Sequence, residues 1–354
     1  MGITGKGDIA PDLPGTRGLT AACADLRFAG TGRDPWAIAT EHQNFGADAA
    51  DNAPKIERKR RGKRMKLGKL GVWAAMDAMT ASEGAAFAKR VEGWGYAALW
   101  LPESRGRNVL VHSSWLLANT TKLIVAPGIA NIYARDPMAM ANGQRALAEQ
   151  SGGRFLLGLG VSHVPMVQGL RGHTYGKPVA TMRAYLDAMA AAPYAAPEPA
   201  EKPLTVLAAL GPRMLELSAS HADGAHPYNV TPEHTHQARQ ILGPGKLLCP
   251  EVWVLLETDA AKARALGREA LANYMRLDNY LNNWRRLGFG DADFAGGGSD
   301  RFIDENVAWG DEAKIRARLQ QHWDAGADHI CIQSISPDGG RRPDDKVLAL
   351  LAPG

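Results

Sequence analysis

The 354 residues are 45% hydrophobic and 22% charged, ordinary proportions for a globular chain and enough for one large α/β domain or two smaller ones. No stretch reaches the roughly 18 uninterrupted apolar residues of a membrane helix, and the first residues lack the basic, apolar and small-residue order of a secretory signal. The formal net charge of +4 is concentrated at one end, because residues 1–64 hold eleven Lys or Arg against eight Asp or Glu; the nearly neutral remainder excludes the broad basic field of a nucleic-acid-binding protein.

In chain order, residues 1–64 come first. They are rich in Gly, Ala and Asp and have no sustained hydrophobic period, so APDLPGTRG and AGTGRDPWA read as loop or disorder. The basic run KIERKRRGKR (55–64) has the composition of a tether to nucleic acid or to a membrane surface. The bland reading is preferred: residues 1–64 are a disordered or non-native extension, and 65–354 form one folded domain starting at Met65. A small-molecule substrate is the expected partner, with neither nucleic acid nor membrane.

From Met65 strand and helix patterns alternate. Strands are expected at 69–75, 96–104, 122–130, 155–163, 204–210, 223–228, 249–258 and 328–336. Helices are expected over 82–94 with Ser82 as N-cap, around 109–119, from Pro137, over 178–191 and over 212–221. The strands are continuous apolar runs, as in a parallel sheet covered on both faces. Eight of them separated by helices indicate a (β/α)8 TIM barrel, with a doubly wound sheet as the alternative. The interval 259–327 is long for a connection. It holds the helical ANYMRLDNYLNNWRRLG and the turn-rich DADFAGGGSD, and insertions of this kind at a barrel rim often cover a site.

FLLGLGVSH (155–163) tests the alternative. A dinucleotide fingerprint needs a third glycine opening a helix and an acidic residue about 20 positions later. Here His163 takes the third glycine's place, and no acidic residue falls near the required position before Asp187. Gly158 and Gly160 instead admit a bulky planar ligand or relieve crowding inside the barrel. Ser162 and His163 then lie at a strand's C-terminal end, the catalytic face of a barrel.

The succession GVWAA, YAALWLPES, APGIANIYARDP, RFLLGLGVSH, LAALGPRMLELSASHADGAHPY, GGGSDR and AGADHICIQ resembles the bacterial luciferase-like superfamily, and within it the coenzyme F420-dependent oxidoreductases. The resemblance runs over about 66–336 and implies the same barrel, with a cofactor-binding insertion. It implies a bulge with a non-prolyl cis peptide near Gly128–Ile129, against which the cofactor ring rests. It also implies that Leu210, Gly211 and Arg213 hold the cofactor phosphate. A Gly-Pro helix start independently favours an anion, and Arg213 adds a cation. Asn131 offers an amide either to the ring or to its own turn. Relatives that carry a catalytic His where Ser104 stands, and a Glu where His163 stands, differ from this chain at both places. Their sugar-phosphate chemistry is therefore not expected here. Glu103 and His163 form the expected acid/base pair, with an ion pair from Glu103 to Arg105 or Arg107 as its rival.

Four of the ten histidines fall in HADGAHPYNVTPEHTH (221–236), but His234 and His236 diverge on a helix and nothing completes a metal site. No metal is expected; His226 and Tyr228 are read as pocket lining, and Tyr274, Tyr280 and Trp284 as helix packing or a roof. Cys23, Cys249 and Cys331 are odd in number and scattered, which suits a reducing cytoplasm. The expected function is F420-dependent hydride transfer to or from a small organic substrate. An FMN-dependent monooxygenase and a non-catalytic flavin-binding barrel are the alternatives, and a homodimer follows from the resemblance.

Overall fold

The computed structural model describes residues 65–340 and 342–353. The expectation made for residues 1–64 lies outside the described residues. In chain order the strands are β1 (Leu70–Trp73), β2 (Ala98–Leu101), β3 (Ile124–Pro127), β4 (Ala130–Asn131), β5 (Leu157–Gly160), β6 (Thr205–Leu207), β7 (Gly224–Ala225), β8 (Leu247–Leu248), β9 (Glu251–Leu256), β10 (Val307–Gly310) and β11 (Ile330–Ser334). All their pairings are parallel, in two ladders ordered β10-β9-β11-β1-β2-β3 and β4-β5-β6-β7-β8. β3 and β4 are halves of one strand interrupted at Gly128–Ile129, and β8 and β9 are halves of another interrupted at Cys249–Pro250. Joined through those two strands, the ladders close into eight staves, each matching one expected strand. This circular order is a (β/α)8 barrel and excludes the open doubly wound sheet.

Helices α1 (Ala81–Gly93), α2 (Val109–Ala118), α3 (Pro137–Gln150), α4 (Pro178–Ala190), α5 (Pro212–His221) and α6 (Pro232–Leu242) follow successive staves. The cap of α1 is Thr80, not Ser82. The Thr80 hydroxyl accepts from the Glu83 N–H at 3.2 Å while the Glu83 carboxylate accepts from the Thr80 N–H at 2.7 Å. This capping box uses two free donors where Ser82, already inside the first turn, could use neither.

Side chains alternate along the staves between two apolar layers. Trp73, Ala98, Trp100, Ala126, Leu156 and Val206 point into the barrel. Their neighbours Val72, Leu99, Leu101, Val125, Leu157 and Leu207 face the helices. Gly158 leaves no room for a side chain, since a Cβ there would sit 2.0 Å from the Pro127 carbonyl oxygen. Crowding between staves therefore explains this glycine without any ligand.

Between β9 and β11 the chain adds α7 (Ala260–Leu271), α8 (Asp278–Arg286), α9 (Asp291–Phe294), α10 (Asp300–Asn306), strand β10 and α11 (Glu312–Asp324); α12 (Asp345–Leu350) ends the fold. The stretch 272–288 is not one helix. A 3-10 turn at Tyr274–Arg276 is separated from α8 by extended Leu277, at φ −114° and ψ 116°. This insertion has its own apolar core, with Trp284 and Phe302 packed edge to face at 4.8 Å. Among the described residues no helix is long and apolar enough to cross a membrane, and Cys249 and Cys331 are buried free thiols.

Candidate functional site

A cavity of about 870 Å³ opens where the C-terminal ends of the staves meet the insertion. Its size suits an organic molecule of cofactor dimensions. The interrupted third stave forms one side. The peptide bond between Gly128 and Ile129 is cis, at the place the resemblance assigns it. Gly128 is held from both sides: its N–H donates to the Leu101 carbonyl at 2.6 Å, and its carbonyl accepts from Trp73 Nε1 at 2.8 Å. A Cβ on Gly128 would lie 2.8 Å from Trp73 Nε1 and 2.9 Å from His226 Nε2, so only glycine fits. With no side chain at Gly128, the backbone of Gly128 and Ile129 borders the cavity as a shelf. Gly160, on the next stave, is equally constrained, because its Cβ would meet Ile129 Cγ1 at 2.5 Å and push that side chain from the shelf.

Ser162 and His163 stand at the end of β5 and both line the cavity. Ser162 has φ 56°, an unusual conformation for a residue with a side chain, and its carbonyl accepts from the Tyr175 hydroxyl at 3.2 Å. His163 meets the insertion, with its ring 5.9 Å from that of Tyr280. Burial lowers its pKa from the usual 6.5, and the neighbouring Asn279 side chain works against that shift. At neutral pH the ring is therefore uncharged, able to accept a proton at one nitrogen and donate one at the other.

Glu103 does not pair with His163. Its carboxylate takes both guanidinium branches of Arg135, one at 3.0 Å, together with the N–H of Asn131 at 2.9 Å and that of Val109 at 3.4 Å. The rival expectation of a rim ion pair to Arg105 or Arg107 also fails. Arg107 instead donates to the Met76 and Met79 carbonyls. With its carboxylate so occupied, Glu103 is a buried brace that fixes β4 behind the shelf. Asn131 belongs to the same brace and does not line the cavity: its Oδ1 accepts from the Tyr133 N–H at 2.9 Å, closing its own turn. Ser104 lines the open edge, and its carbonyl accepts from Arg171 at 3.4 Å.

At the opposite end the first turn of α5 meets α8. Gly211 caps α5 and Pro212 occupies its first position. The amides of Gly211 and Arg213 have no protein acceptor among the described hydrogen bonds, as expected at a helix start. The Leu210 carbonyl accepts from His234 Nε2 at 2.9 Å, which pins the loop. Arg213 is exposed at the rim. A second cation that sequence reasoning missed stands against Gly211: Arg286, from α8, has Nη2 only 3.6 Å from where a Gly211 Cβ would be. Its guanidinium makes no salt bridge among the described residues and bonds Asn283 Oδ1 at 3.2 Å; burial lowers its pKa. Two guanidinium groups, two free amides and a helix dipole converge there. No local signal in the sequence connects residue 286 with residue 211.

The cavity floor is aromatic. His226 stacks on Trp100 with ring centres 4.3 Å apart and donates from Nδ1 to the Cys249 carbonyl at 2.7 Å. Its buried Nε2 has no partner, and burial takes its pKa down to about 4, so the ring stays neutral. Tyr228 shares a 2.7 Å hydrogen bond with Tyr274 and donates to Gln333 Oε1 at 2.8 Å. Tyr274 and Tyr280 roof the cavity while Trp284 is insertion core, so the two expected roles divide among the three. Among the described residues no group of His, Cys, Asp or Glu is gathered as metal ligands would be.

The family model for the luciferase-like monooxygenases matches residues 65–329. A Mycobacterium tuberculosis protein, provisionally assigned as a coenzyme F420-dependent oxidoreductase, is 27% identical over 274 residues, covering 64% of this chain and 78% of that one. The coenzyme F420-dependent tetrahydromethanopterin reductase of Methanopyrus kandleri superposes with a TM-score of 0.61 at 17% identity, over 81% of this chain and 97% of that one. The oxygenating constituent of 3,6-diketocamphane monooxygenase from Pseudomonas putida, in complex with FMN, gives 0.61 at 12% identity, over 80% and 97%. These two structural likenesses are likenesses of fold.

Proposed function

The chain belongs to the luciferase-like monooxygenase family, and on that premise we propose that it is a coenzyme F420-dependent oxidoreductase acting on a small organic substrate. The observation that carries the reading is the division of the cavity. A backbone shelf at Gly128–Ile129 borders one side, and at the other end Gly211, Arg213 and Arg286 present donors and positive charge. A flat ring tethered to a phosphate fits both ends at once. The M. tuberculosis relative supports the deazaflavin over FMN.

When bound, the cofactor would supply or receive the hydride; the protein's part is to bind, orient and exclude water. Gly128 and Ile129 would support the ring, with Glu103 and Arg135 keeping the shelf in place. Gly211, Arg213 and Arg286 would hold the phosphate. Tyr274 and Tyr280 cover the mouth and keep water from the reacting atoms. His163 would take or return the substrate proton at a ring nitrogen, a role open to it because it is uncharged and lines the cavity.

Fluorescence titration of the full chain with F420 and, separately, with FMN tests this. F420 should bind well ahead of FMN. Preference for FMN, with oxygen uptake on adding the reduced flavin, would establish the monooxygenase alternative instead, and tight retention without turnover would establish a storage barrel. Binding of neither ligand would overturn the assignment.

A further inference from the structure

The barrel fixes the backbone of His163. Its carbonyl accepts from the N–H groups of Met166 and Val167, both at 3.0 Å, in the helical turn that follows. Ser162 before it holds φ 56°. Tyr175, which donates to the Ser162 carbonyl at 3.2 Å, stacks on Tyr133 with ring centres 5.8 Å apart. The imidazole is met from the other side, by the insertion. The Asn279 side chain hydrogen-bonds it, and the Tyr280 ring stands 5.9 Å away.

Asn279, Asn282 and Arg286 recur along α8 at i, i+3 and i+7, the spacing of one helix face, and all three line the cavity. This face runs two turns, about 10 Å, from His163 at one end to Gly211 at the other. Asn279 favours the protonated imidazole, so it presents its amide oxygen and accepts from a ring N–H. A neutral imidazole that donates at one nitrogen carries a lone pair at the other. Charged neighbours do not disturb this arrangement, since burial and Asn279 are the two causes acting on the ring. Burial keeps Tyr175 and Tyr280 uncharged, and Arg135 matches the charge of Glu103. Asp77, Arg213 and Arg286, on the same cavity wall, do not enter the balance at His163.

We propose that Asn279 is the positioning residue for His163: its amide oxygen accepts from one ring N–H and so leaves the other nitrogen, as a lone pair, open to the substrate. This role rests on the proton handling assigned to His163 above and names what prepares it. When the free nitrogen takes a proton, the bond to Asn279 stays, so the ring need not turn between its two charge states. An amide suits the task better than a carboxylate. A carboxylate there would stabilise the imidazolium and leave the ring charged at neutral pH, unable to accept. Because α8 carries Asn279 and Arg286 on one face, the folding of the insertion sets the proton site and the phosphate site together.

The test uses the full chain with isotope-labelled histidine at neutral pH, the His163 ring signals being those lost in His163→Gln. Nitrogen resonances should show a single neutral tautomer at His163 in the unaltered chain and both tautomers in Asn279→Leu. Asn279→Asp should raise the pKa of His163 by about one unit or more, which brings its titration into the range where the barrel is stable. In turnover with F420 and an alcohol donor, Asn279→Leu should lower kcat roughly ten- to a hundred-fold at every pH, as a misplaced group does. KM for the cofactor should not change. Asn279→Asp should regain the rate only above its raised acidic limb, a split that lost packing would not produce. A single tautomer in Asn279→Leu together with an unmoved titration in Asn279→Asp would overturn the positioning role and leave the cofactor reading intact. A ring that responds in both variants while the rate does not would overturn the proton handling by His163, and the role of Asn279 with it. F420 binding is read from the ligand titration above, so a failure of the cofactor reading is seen apart from either.

Discussion

His163 and Glu103 show what a residue's identity conveys and what it conceals. Their positions at the ends of the second and fourth staves were legible, because eight apolar runs in barrel order place Ser162, His163, Glu103 and Ser104 on the C-terminal face. Their partners were not legible. Arg135 reaches Glu103 from beyond the strand break, over 32 residues, and this contact follows from the turn at Asn131 and not from any pattern of charge. Without a carboxylate partner, His163 keeps a pKa below 6.5 set by burial. In the direction that oxidises an alcohol donor, the neutral ring takes the proton, so kcat/KM should fall as pH drops through that value. His163→Gln should remove this acidic limb and lower kcat by about 10²–10⁴-fold, the usual worth of a positioned acid or base. Cofactor affinity should hardly change. A pH profile identical to that of the unaltered protein would take the proton-handling role away from His163.

The elements were easier to read than the joints between them. Strand and helix periods gave every stave because each repeats locally, and α3 begins at Pro137 as the sequence indicated. The breaks in the third and seventh staves, the edge strand β10 and the 3-10 turn before α8 were hidden, since each depends on what packs across from it. The phosphate site also lies at a joint. The Gly-Pro start of α5 was visible, but half of the positive charge arrives on α8 through the folding of the insertion. That gives Arg286 a measurable share. A charge-assisted hydrogen bond contributes about 1.5–3 kcal/mol, so Arg286→Gln should weaken binding of the phosphate-bearing cofactor by roughly ten- to a hundred-fold. Affinity for the same ring and side chain without the phosphate should stay as it was, and the two titrations together separate phosphate recognition from a general loosening of α8. Equal losses for both ligands would place Arg286 in packing instead.

For the whole molecule, hydrophobic periodicity reported the barrel, but composition did not report how it handles charge inside. Five histidines are buried neutral: His322 with a pKa pushed down to about 3, and His112, His226, His234 and His329 down to about 4. Burial is the first cause in each, and in the unfolded chain all five return to near 6.5. Below 6.5 the unfolded chain therefore binds more protons than the folded one, so the stability present above that pH is lost as pH falls toward about 4. Glu251 acts in the opposite sense, because burial raises its pKa and keeps the carboxyl protonated while the unfolded chain releases that proton. It offsets one of the five. Each remaining proton contributes about 1.4 kcal/mol per pH unit, so the slope is on the order of 5 kcal/mol per unit, against a total stability of about 5–15 kcal/mol for an ordinary domain. Urea midpoints should rise slightly as pH falls from 8 to 7, where Glu251 alone sets the slope, and then collapse between 6.5 and 5, with His322→Asn reducing the slope by about one proton. Midpoints that stay level down to pH 5 would mean that these rings are charged in the folded barrel, and that the neutral Trp100–His226 stack beneath the cavity is not what holds its floor.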